Sequence, residues 1–535
     1  MIHRDAPASA VGLALRRSAQ AGPPRLTMDT WRPYVGIVGV LLGSVLGTLG
    51  SRTTSFGLAD LRGALHAGFD EGAWITTSFG VGQMLVGIAS PYLGAVLGAR
   101  RVLLIGIVVF FLASLLAPFA TGVRGFVILV GIAGLGSGTF IPLTISFVIR
   151  SLPARLVIFG IAAYAMNSEL SQNVAASLEG YYADHLSWHW IYWQYCLVLP
   201  IMFAAIWFGV PREPVNAALM RDFDWPGVTY ASVGFAMLYA ALDQGNRLDW
   251  TGSGLVVGLL AGGALLVAAF LAREATTRRP FLNLRLLVRG NLALMLLALA
   301  LVRLVILSTA YIIPAYLQAV QNFRELQVGA VLLWIALPQF AIVVPLALLL
   351  RRFDGRPILA FGTVLVGAAC LMASDLTSFW ATADFLPSQV LQALGQSFAL
   401  TALTVLTVRS IVPVEALTVG CLLQLSRLFG GELGTGFMQT LVRTREQVHS
   451  NAIGLHVTAG GGLTTDRLAA YAGRLGSHVA DADLVSSQSH RLLSTAVATQ
   501  ANVLAYQDGF LAAAAGALAC LGLVALMRPG RPSAF

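Results

Sequence analysis

The sequence lacks lysine altogether and carries little charge of either sign. Only 11% of its 535 residues are charged and 57% are hydrophobic, whereas about 25% of a soluble domain is charged. So few charges cannot cover the surface of a water-soluble particle of this length. Without lysine there is no Gly-x-x-x-x-Gly-Lys phosphate loop, which disfavours an ATP-driven pump of that type. Gly-x-Ser-x-Gly and His-Glu-x-x-His motifs are also missing, so we expect neither an enzyme nor a cofactor.

Cysteine is almost as scarce. Cys196, Cys370, Cys421 and Cys520 all lie in apolar stretches, and no Cys-x-x-Cys spacing occurs. We interpret them as small core residues rather than as disulfide partners or metal ligands.

What the sequence has in abundance is long apolar runs. A helix needs roughly 20 apolar residues to cross a membrane. Eleven blocks of at least 18 residues contain no Asp, Glu or Arg: 34–51, 72–99, 102–123, 125–149, 190–211, 225–242, 250–272, 326–350, 357–374, 385–408 and 509–527. Three more, 156–183, 290–323 and 416–442, are equally long but contain charges. Because the runs do not alternate like barrel strands, we predict an all-α integral membrane protein with fourteen transmembrane helices.

The arginines predict the orientation. The predicted cytoplasmic segments hold 22 arginines, whereas the short opposite loops hold only Arg62, Arg124, Arg247 and Arg324. Cytoplasmic loops carry the excess of basic residues, so both termini should be cytoplasmic. The net charge of +9 therefore indicates a surface beside anionic lipid, and we expect no nucleic-acid partner.

The spans are arranged as six, two and six. We predict a cytoplasmic tail (1–33), a six-helix bundle (34–211), two linking helices (225–272), a second bundle (290–443 and 506–527) and a long periplasmic loop (444–505). The tail could instead be a targeting peptide, or translation could start at Met28. In the loop, 459–465 should be irregular, followed by one helix around Leu468 to Leu475 and another from Leu493 into the last span.

Several segments, taken in order, carry a family resemblance: 54–74 (TSFGLADLRGALHAGFDEGAW), 186–192 (LSWHWIY), 241–250 (ALDQGNRLDW), 280–287 (PFLNLRLL), 313–329 (IPAYLQAVQNFRELQVG) and 427–434 (RLFGGELG). Over roughly residues 28–528 the chain resembles the fourteen-helix drug:proton antiporters of the major facilitator superfamily, the EmrB/QacA type. The resemblance implies proton-driven export of small hydrophobic toxic compounds from the bacterial inner membrane, without a cofactor. It also implies a membrane-fusion adaptor of the HlyD/EmrA type and an outer-membrane channel as partners, with the long loop as the adaptor contact.

The chain departs from this family at several motifs. Gly98, Arg100 and Arg101 remain in the loop after the second span, but Ala95 stands where the family has Asp. The Arg-x-x-Gln-Gly of the fourth helix is replaced from Val130 onward, and the Gly-Pro pairs of the fifth helix by NSELSQNVAASLEG. The acidic residue usual in the first helix aligns with Gly50. The coupling mechanism therefore cannot be copied from the family.

Charged residues inside spans are costly, so each is a functional candidate. On the fifth span Glu169, Gln172, Asn173 and Glu179 fall within about 120° of arc, a face that should line a cavity or the bundle interior. Glu169 lies about 20 Å into the span. We predict Glu169, Glu179 and Glu432 as proton-coupling residues. Pairing with a buried arginine is the alternative for Glu169, and a water-exposed vestibule position is the alternative for Glu179.

The arginines and glutamines of the spans supply a predicted substrate cavity. Its members are Arg52, Gln172, Asn173, Arg303, Gln339, Gln389, Gln392, Gln396, Gln424 and Arg427. Arg52 could instead snorkel to the outer surface. We expect Arg427 to pair with Glu169 or Glu432; alternatively, the arginines favour anionic or weakly acidic substrates. For Gln389, Gln392 and Gln396, interhelical hydrogen bonding is the alternative role.

Two cytoplasmic clusters occupy comparable places in the two halves. They are Arg100 and Arg101 in the first half, and Arg351, Arg352 and Asp354 in the second. We expect them to gate or orient the halves.

The leading prediction is thus a proton-coupled exporter of hydrophobic or amphipathic toxic compounds. The alternatives are export of an endogenous metabolite or siderophore, and a non-transporting receptor or assembly protein on the same scaffold.

Overall fold

A computed structural model describes residues 31–221, 223–277, 281–288, 290–410, 416–477 and 481–528. Every regular element of these residues is helical. Most of the predicted tail 1–33, including Met28, lies outside the described residues, and so does Pro280. The nature of the tail therefore stays a prediction.

Long helices occupy the apolar runs because a backbone in lipid must satisfy its hydrogen bonds internally. The helices of the first half are α1 (Arg32–Phe56), α2 (Leu58–Ala64), α3 (Phe69–Gly87), α4 (Ser90–Leu97), α5 (Ala99–Leu116), α6 (Val123–Ser137), α7 (Phe140–Ser151), α8 (Ala154–His185) and α9 (Trp190–Gly209). A linking segment follows with α10 (Ala217–Arg221), α11 (Trp225–Gly245) and α12 (Gly254–Thr276). The second half contains α13 (Leu292–Leu307), α14 (Ile313–Ala319), α15 (Glu325–Arg352), α16 (Gly355–Ala373), α17 (Leu386–Arg409), α18 (Ala416–Gly454), α19 (Gly462–Gly476) and α20 (Ala482–Leu526).

Most of the predicted spans are long and apolar enough to cross a membrane. Ten helical segments of the described residues meet that test, or eleven if α3 and α4, bent by 46°, form one span. The remaining three predicted spans coincide with α8, α11 and α18, which are long but too polar to meet it. The polar residues of these three helices supply much of the candidate site, and the count of fourteen stays a prediction.

The helices form two bundles that meet along α8. In the first half α1 packs against α7, α8 and α9, and α3 against α6; in the second half α16 packs against α17 and α20, and α13 against α18 and α20. Across the halves, α8 packs against α15 and α17. Helix α11 contacts both α3 of the first half and α18 of the second, so the linking pair covers one seam between the bundles.

A buried charge ties the two linking helices together. The Asp224 carboxylate caps α11 by accepting from the backbone N–H of Gly227 at 3.2 Å, and it lies 2.6 Å from Nε of Arg273 in α12. An N-terminal cap satisfies one of the otherwise unpaired helix donors. The same residue therefore fixes where α11 starts and how α12 returns beside it.

A π-helical turn, Ser308–Ile312, interrupts the span between α13 and α14 just before Pro314. Proline has no N–H for the helical ladder, and π turns are often found at functional sites. The turn points Ser308 and Thr309 toward α17, whose glutamines they contact.

The long hydrophilic segment is mostly helical. Helix α18 continues to Gly454, α19 covers 462–476, and α20 begins at Ala482 and runs into the last span. The two predicted helices are present. The prediction of an irregular stretch over 459–465 is wrong in its second part, because α19 already begins at Gly462; the backbone N–H of Thr465 donates to the carbonyl of Gly461 and closes the first turn.

Candidate functional site

A cluster of charges lies at the seam between the bundles, where α1, α8, α13 and α18 come together. Glu169 is 1% exposed, and its Oε1 lies 3.4 Å from Nη1 of Arg303, whose side chain is 11% exposed. Glu169 belongs to the first half and Arg303 to the second, so this ion pair bridges the halves. Of the alternatives weighed for Glu169, the structure shows the pair with a buried arginine; a role in proton coupling stays a prediction.

Within the described residues, no hydrogen bond reinforces the pair. Both carboxylate oxygens of Glu169 and Nε of Arg303 are buried without a hydrogen-bond partner among the described residues. Buried charges are stable only when their remaining lone pairs and protons are also satisfied. An ion pair with free bonding capacity on both sides is therefore easily disturbed by a proton or by a ligand.

Two further arginines surround the pair with neutral partners. Arg52 Nη2 donates to Oε1 of Gln172 at 3.5 Å, and Arg427 Nε donates to Oε1 of Gln424 at 3.3 Å. Both arginines are electrostatic neighbours of Glu169. We expected Arg427 to pair with Glu169 or Glu432, but Arg303 on α13 reaches the Glu169 carboxylate and the hydrogen bond of Arg427 goes to Gln424. Arg52 contacts α8 rather than snorkelling freely outward.

Buried amides line the same region. Helices α8 and α15 run antiparallel, with Ser177 against Gly329 and Gly180 against Leu326. Continuing that register places Gln339 of α15 opposite residue 167. That position is about 3 Å from Glu169 along the axis of α8. Gln339 is buried with neither amide atom bonded, and Nδ2 of buried Asn173 is also unpartnered among the described residues. Together with the arginines, these groups offer donors and acceptors to a bound molecule.

The third predicted acid lies at a different part of the seam. Glu432 of α18 is buried, and its polar neighbours are Tyr239 and Asp243 of α11 and Arg52 of α1. Sequence reasoning missed Tyr239 and Asp243. The signal that could have found Asp243 is its place one residue beyond the predicted span 225–242, in the segment ALDQGNRLDW.

Glu179 lies near the predicted outer end of α8. It is completely buried, and its carboxylate packs beside Gly57 at the end of α1. The alternative of a water-exposed vestibule residue is therefore wrong, because the start of α15 covers this end of α8. Asp60, Asp184 and Glu325 are its charged neighbours.

The glutamines of α17 bond within the second bundle. Gln392 Nε2 donates to Ser308 Oγ at 3.1 Å, and Gln396 Nε2 donates to Thr309 Oγ1 at 3.0 Å. Gln389 and Gln392 border a cavity of about 10 Å³, roughly enough for one water. These contacts favour the interhelical role over direct ligand contact.

The predicted gating residues contact their own halves. Arg100 stacks on Trp207 with its guanidinium carbon 4.7 Å from the ring centre, and Arg101 donates to the carbonyl of Leu97. Asp354 caps α16 and lies 2.7 Å from Nη2 of Arg356. Partial burial works against its charge, but the hydrogen bonds from Arg356 prevail and hold the pKa of Asp354 below its ordinary value. Arg351 and Arg352 are exposed, and a gating role for these residues stays a prediction.

The halves contact each other on both sides of the site. At the predicted outer face, Arg324, just before α15, lies 3.7 Å from Asp184 of α8. Toward the predicted cytoplasmic face, Val157 and Ile158 of α8 belong to the same apolar cluster as Leu346 and Leu350 of α15. In the part of the chain that the structure describes, no group of three or more His, Cys, Asp or Glu side chains could hold a metal ion.

Comparison with known proteins places this architecture. A family model described as Major Facilitator Superfamily matches residues 40–435. The chain is 24% identical over 439 residues to the probable multidrug resistance protein EmrY of Escherichia coli, covering 80% of this chain and 85% of that protein. It is 22% identical over 480 residues to the fatty acid resistance protein FarB of Neisseria gonorrhoeae, covering 88% and 91%.

A solved structure supports the fold. The human organic anion transporter MFSD10 superposes with a TM-score of 0.55 at 13% identity, covering 91% of this chain and all of that chain. At that identity the likeness concerns the fold alone. The matched family model, which covers most of the span region, establishes the relationship: the chain is a multi-pass membrane protein that belongs to the Major Facilitator Superfamily.

Proposed function

We propose that this protein is a proton-coupled efflux transporter that exports small hydrophobic or amphipathic toxic compounds. The observation that carries the proposal is the Glu169–Arg303 pair, a buried and titratable link between the two halves. The names of EmrY, a multidrug resistance protein, and FarB, a fatty acid resistance protein, support export of such compounds.

The pair suggests how protons drive the cycle. With Glu169 ionised, its attraction to Arg303 holds α8 of one half to α13 of the other. Protonation neutralises Glu169 and removes that attraction, so the halves can move apart on one side. A substrate that binds only while the pair is intact excludes the proton, and this mutual exclusion is the condition for antiport.

A second candidate is export of amphipathic anions or weak acids. Arg52 and Arg427 have amide partners rather than carboxylates within the described residues, and an unpaired charge inside a membrane protein is costly. An anionic head group between them would supply the counter-charge. Export of an anion is driven by an inside-negative membrane potential even without proton exchange, so the two candidates differ in their driving force.

Localisation and partners extend the proposal. The arginine distribution supports a bacterial inner-membrane location with both termini in the cytoplasm. Helix α19 and its flanking turns would then project into the periplasm, where Leu455 and Leu463 are 79% and 84% exposed. Apolar side chains at the tip of a polar projection suit a protein contact, which supports a membrane-fusion adaptor, joined to an outer-membrane channel, as the partner. Lipid surrounds the remaining apolar surface.

The two remaining alternatives, a metabolite exporter and a non-transporting receptor, predict different transport results. An exporter of an endogenous metabolite or siderophore would share the cycle but not protect against added toxicants. A receptor or assembly protein on the same scaffold would move no compound. The buried, charged site between the halves favours transport over the receptor role.

The proposal is tested by accumulation of a fluorescent amphiphile in an efflux-deficient Gram-negative host. We expect the wild type, with its adaptor supplied, to lower accumulation until an uncoupler is added. Glu169→Gln should abolish this effect, whereas Glu71→Gln, at an exposed position of α3, should not. Unchanged accumulation with the wild type, or full export by Glu169→Gln, would contradict the proposal.

A further inference from the structure

The linking helix α11 brings its own acid into contact with the first bundle. Oδ2 of Asp243 accepts a hydrogen bond from Oγ1 of Thr77 on α3, and the same Thr77 oxygen accepts from Nε2 of Gln244. Gln244 also approaches Asp243 Oδ2 at 3.4 Å. Asp243 is half-buried, and these contacts fix its carboxylate between α11 and α3.

The contacts continue outward to the surface. Oε1 of Gln244 accepts from Nε of Arg247 at 2.7 Å, and Arg247 forms an ion pair with Asp70. The Asp70 side chain is 82% exposed. Asp243 is thus joined to the predicted outer face by an unbroken series of polar side chains.

Inward, the next polar group on α11 is Tyr239. It lies four residues before Asp243, which places both on one face of the helix a single turn apart. Its nearest charged neighbour on α18 is Glu432, with which it interacts across the seam. The Tyr239 ring lies directly over Gly80 of α3, where a side chain would overlap it. The absence of a side chain at Gly80 therefore allows the ring to occupy this position.

Glu432 completes the series at the central cluster. It is buried, one of its oxygens is unpartnered among the described residues, and its charged neighbours are Asp243 and Arg52. Arg52 is in turn a neighbour of Glu169. From outside to inside, the order is therefore the Asp70–Arg247 pair, Asp243, Tyr239, Glu432 and the arginine cluster.

We propose that α11 conducts the proton from the predicted outer face to the central site, with Asp243 as the first acceptor and Tyr239 as the relay to Glu432. This inference rests on the proposed proton-coupled transport. In the transfer, protonated Asp243 gives its proton to the phenol oxygen of Tyr239 while Tyr239 gives its own proton to the Glu432 carboxylate. Asp243 ends as a carboxylate, Glu432 ends neutral and Tyr239 is unchanged.

The series also responds to the position of the halves. Thr77 belongs to the first bundle and Glu432 to the second, and α11 lies between them. Trp250 Nε1 donates to Thr440 Oγ1 at 3.2 Å and Arg443 Nη1 to the Asn246 carbonyl at 2.6 Å, which fasten α11 to α18. Because α11 is bonded to both bundles, a separation of the outer ends of α3 and α18 has to break either its Thr77 contact or its contacts with α18.

The test uses the full chain, purified and reconstituted in liposomes. The probes are the amphipathic cation ethidium and the amphipathic anion 8-anilinonaphthalene-1-sulfonate. For each variant, probe movement driven by a pH gradient is compared with probe exchange at equal pH on both sides, which needs no net proton transfer. The variants are Tyr239→Phe and Asp243→Asn. The matched controls are Tyr230→Phe, elsewhere on α11, and Asp466→Asn, at an exposed position of α19.

We expect Tyr239→Phe and Asp243→Asn to lose gradient-driven movement by about tenfold or more, the usual scale for a lost proton-transfer group. Exchange should stay within about twofold of the wild type, and both controls should behave as the wild type. Full gradient-driven movement by Tyr239→Phe would overturn the relay while leaving the proposed function intact. Equal loss of exchange and gradient-driven movement would also overturn it, because the residue would then be structural. Failure of the wild type to move either probe would overturn the relay and the proposed function together.

Discussion

The carboxylate of Glu169 and the guanidinium of Arg303 lie 3.4 Å apart across the seam between the two bundles. Glu169 belongs to the first half and Arg303 to the second. The two therefore meet only when the halves dock against each other. The pair therefore forms in the conformation in which the halves are docked. Because a carboxylate can accept a proton, protonation of Glu169 would remove the attraction that holds them together.

Removing one partner of this pair should harm the protein more than removing both. Arg303→Gln leaves an unpaired carboxylate in the interior, which costs about 3–5 kcal/mol. In the double variant Glu169→Gln, Arg303→Gln, both groups are neutral amides that can bond to each other. We expect thermal unfolding in detergent to show a large loss of stability for Arg303→Gln and a recovery of most of it in the double variant. Additive losses would mean that the two residues do not interact.

Arg427 should distinguish anions from cations. Arg427→Gln removes a positive charge whose nearest hydrogen-bond partner is the neutral Gln424. If anionic substrates bind there, affinity for 8-anilinonaphthalene-1-sulfonate should fall about tenfold, or about 1.4 kcal/mol, while affinity for ethidium is unchanged. Arg474→Gln, at an exposed position of α19, is the control. An equal fall for both probes would argue against a charge-selective site.

The driving force of export gives a second test of whether the substrate is an anion. Ionophores that collapse only the membrane potential should stop export of an anion, and those that collapse only the pH gradient should stop electroneutral proton exchange. Export of the sulfonate that is insensitive to the membrane potential would contradict the anion hypothesis.

Close packing of α8 on α15 should control outer closure. A Cβ at Gly329 would lie 2.6 Å from the backbone nitrogen of Ser177, so Gly329→Ala forces the two helices apart. We expect a cysteine introduced at Ser177 to react faster with a membrane-impermeant thiol reagent when Gly329 is also alanine. Gly431→Ala, where an added Cβ meets nothing within 4 Å, should leave the rate unchanged. No increase in Gly329→Ala would show that this contact does not close the site.

Two capping aspartates should differ in their value to stability. Asp224 and Asp354 each cap a helix and pair with an arginine, but the Asp224 side chain is 3% exposed and that of Asp354 is 42% exposed. Asp224→Ala should cost about 2 kcal/mol, the upper range for a lost cap, because the 37%-exposed Arg273 also loses its partner. Asp354→Ala should cost about 1 kcal/mol, the usual price of a lost cap. Equal shifts in the midpoint of thermal unfolding would contradict this ranking.

The sequence predicted the helices well because the constraint on them is local. A backbone in lipid must be helical wherever the chain is apolar, so run length alone placed most helices. The two loop helices were also predicted, from apolar spacing, although the start of α19 at Gly462 was missed.

The partners of the charged residues could not be predicted in the same way. Helical periodicity placed Glu169 on an inward face, but it could not say whether Arg303 or Arg427 would reach it, because that depends on how the bundles dock. For the same reason, Glu179 could not be recognised as buried without α15 beside it. Tyr239 and Asp243 could not be recognised as site residues, because their neighbours depend on how α11 packs between α3 and α18.

The most direct test of the central claim measures protons released when a permanently charged substrate binds. Purified protein in weakly buffered detergent solution is mixed with ethidium, and a pH indicator reports the change. If Glu169 is where proton and substrate exclude each other, the wild type should release protons on binding, and Glu169→Gln should bind ethidium and release none. Equal proton release by the wild type and by a Glu169→Gln protein that still binds ethidium would show that coupling resides elsewhere.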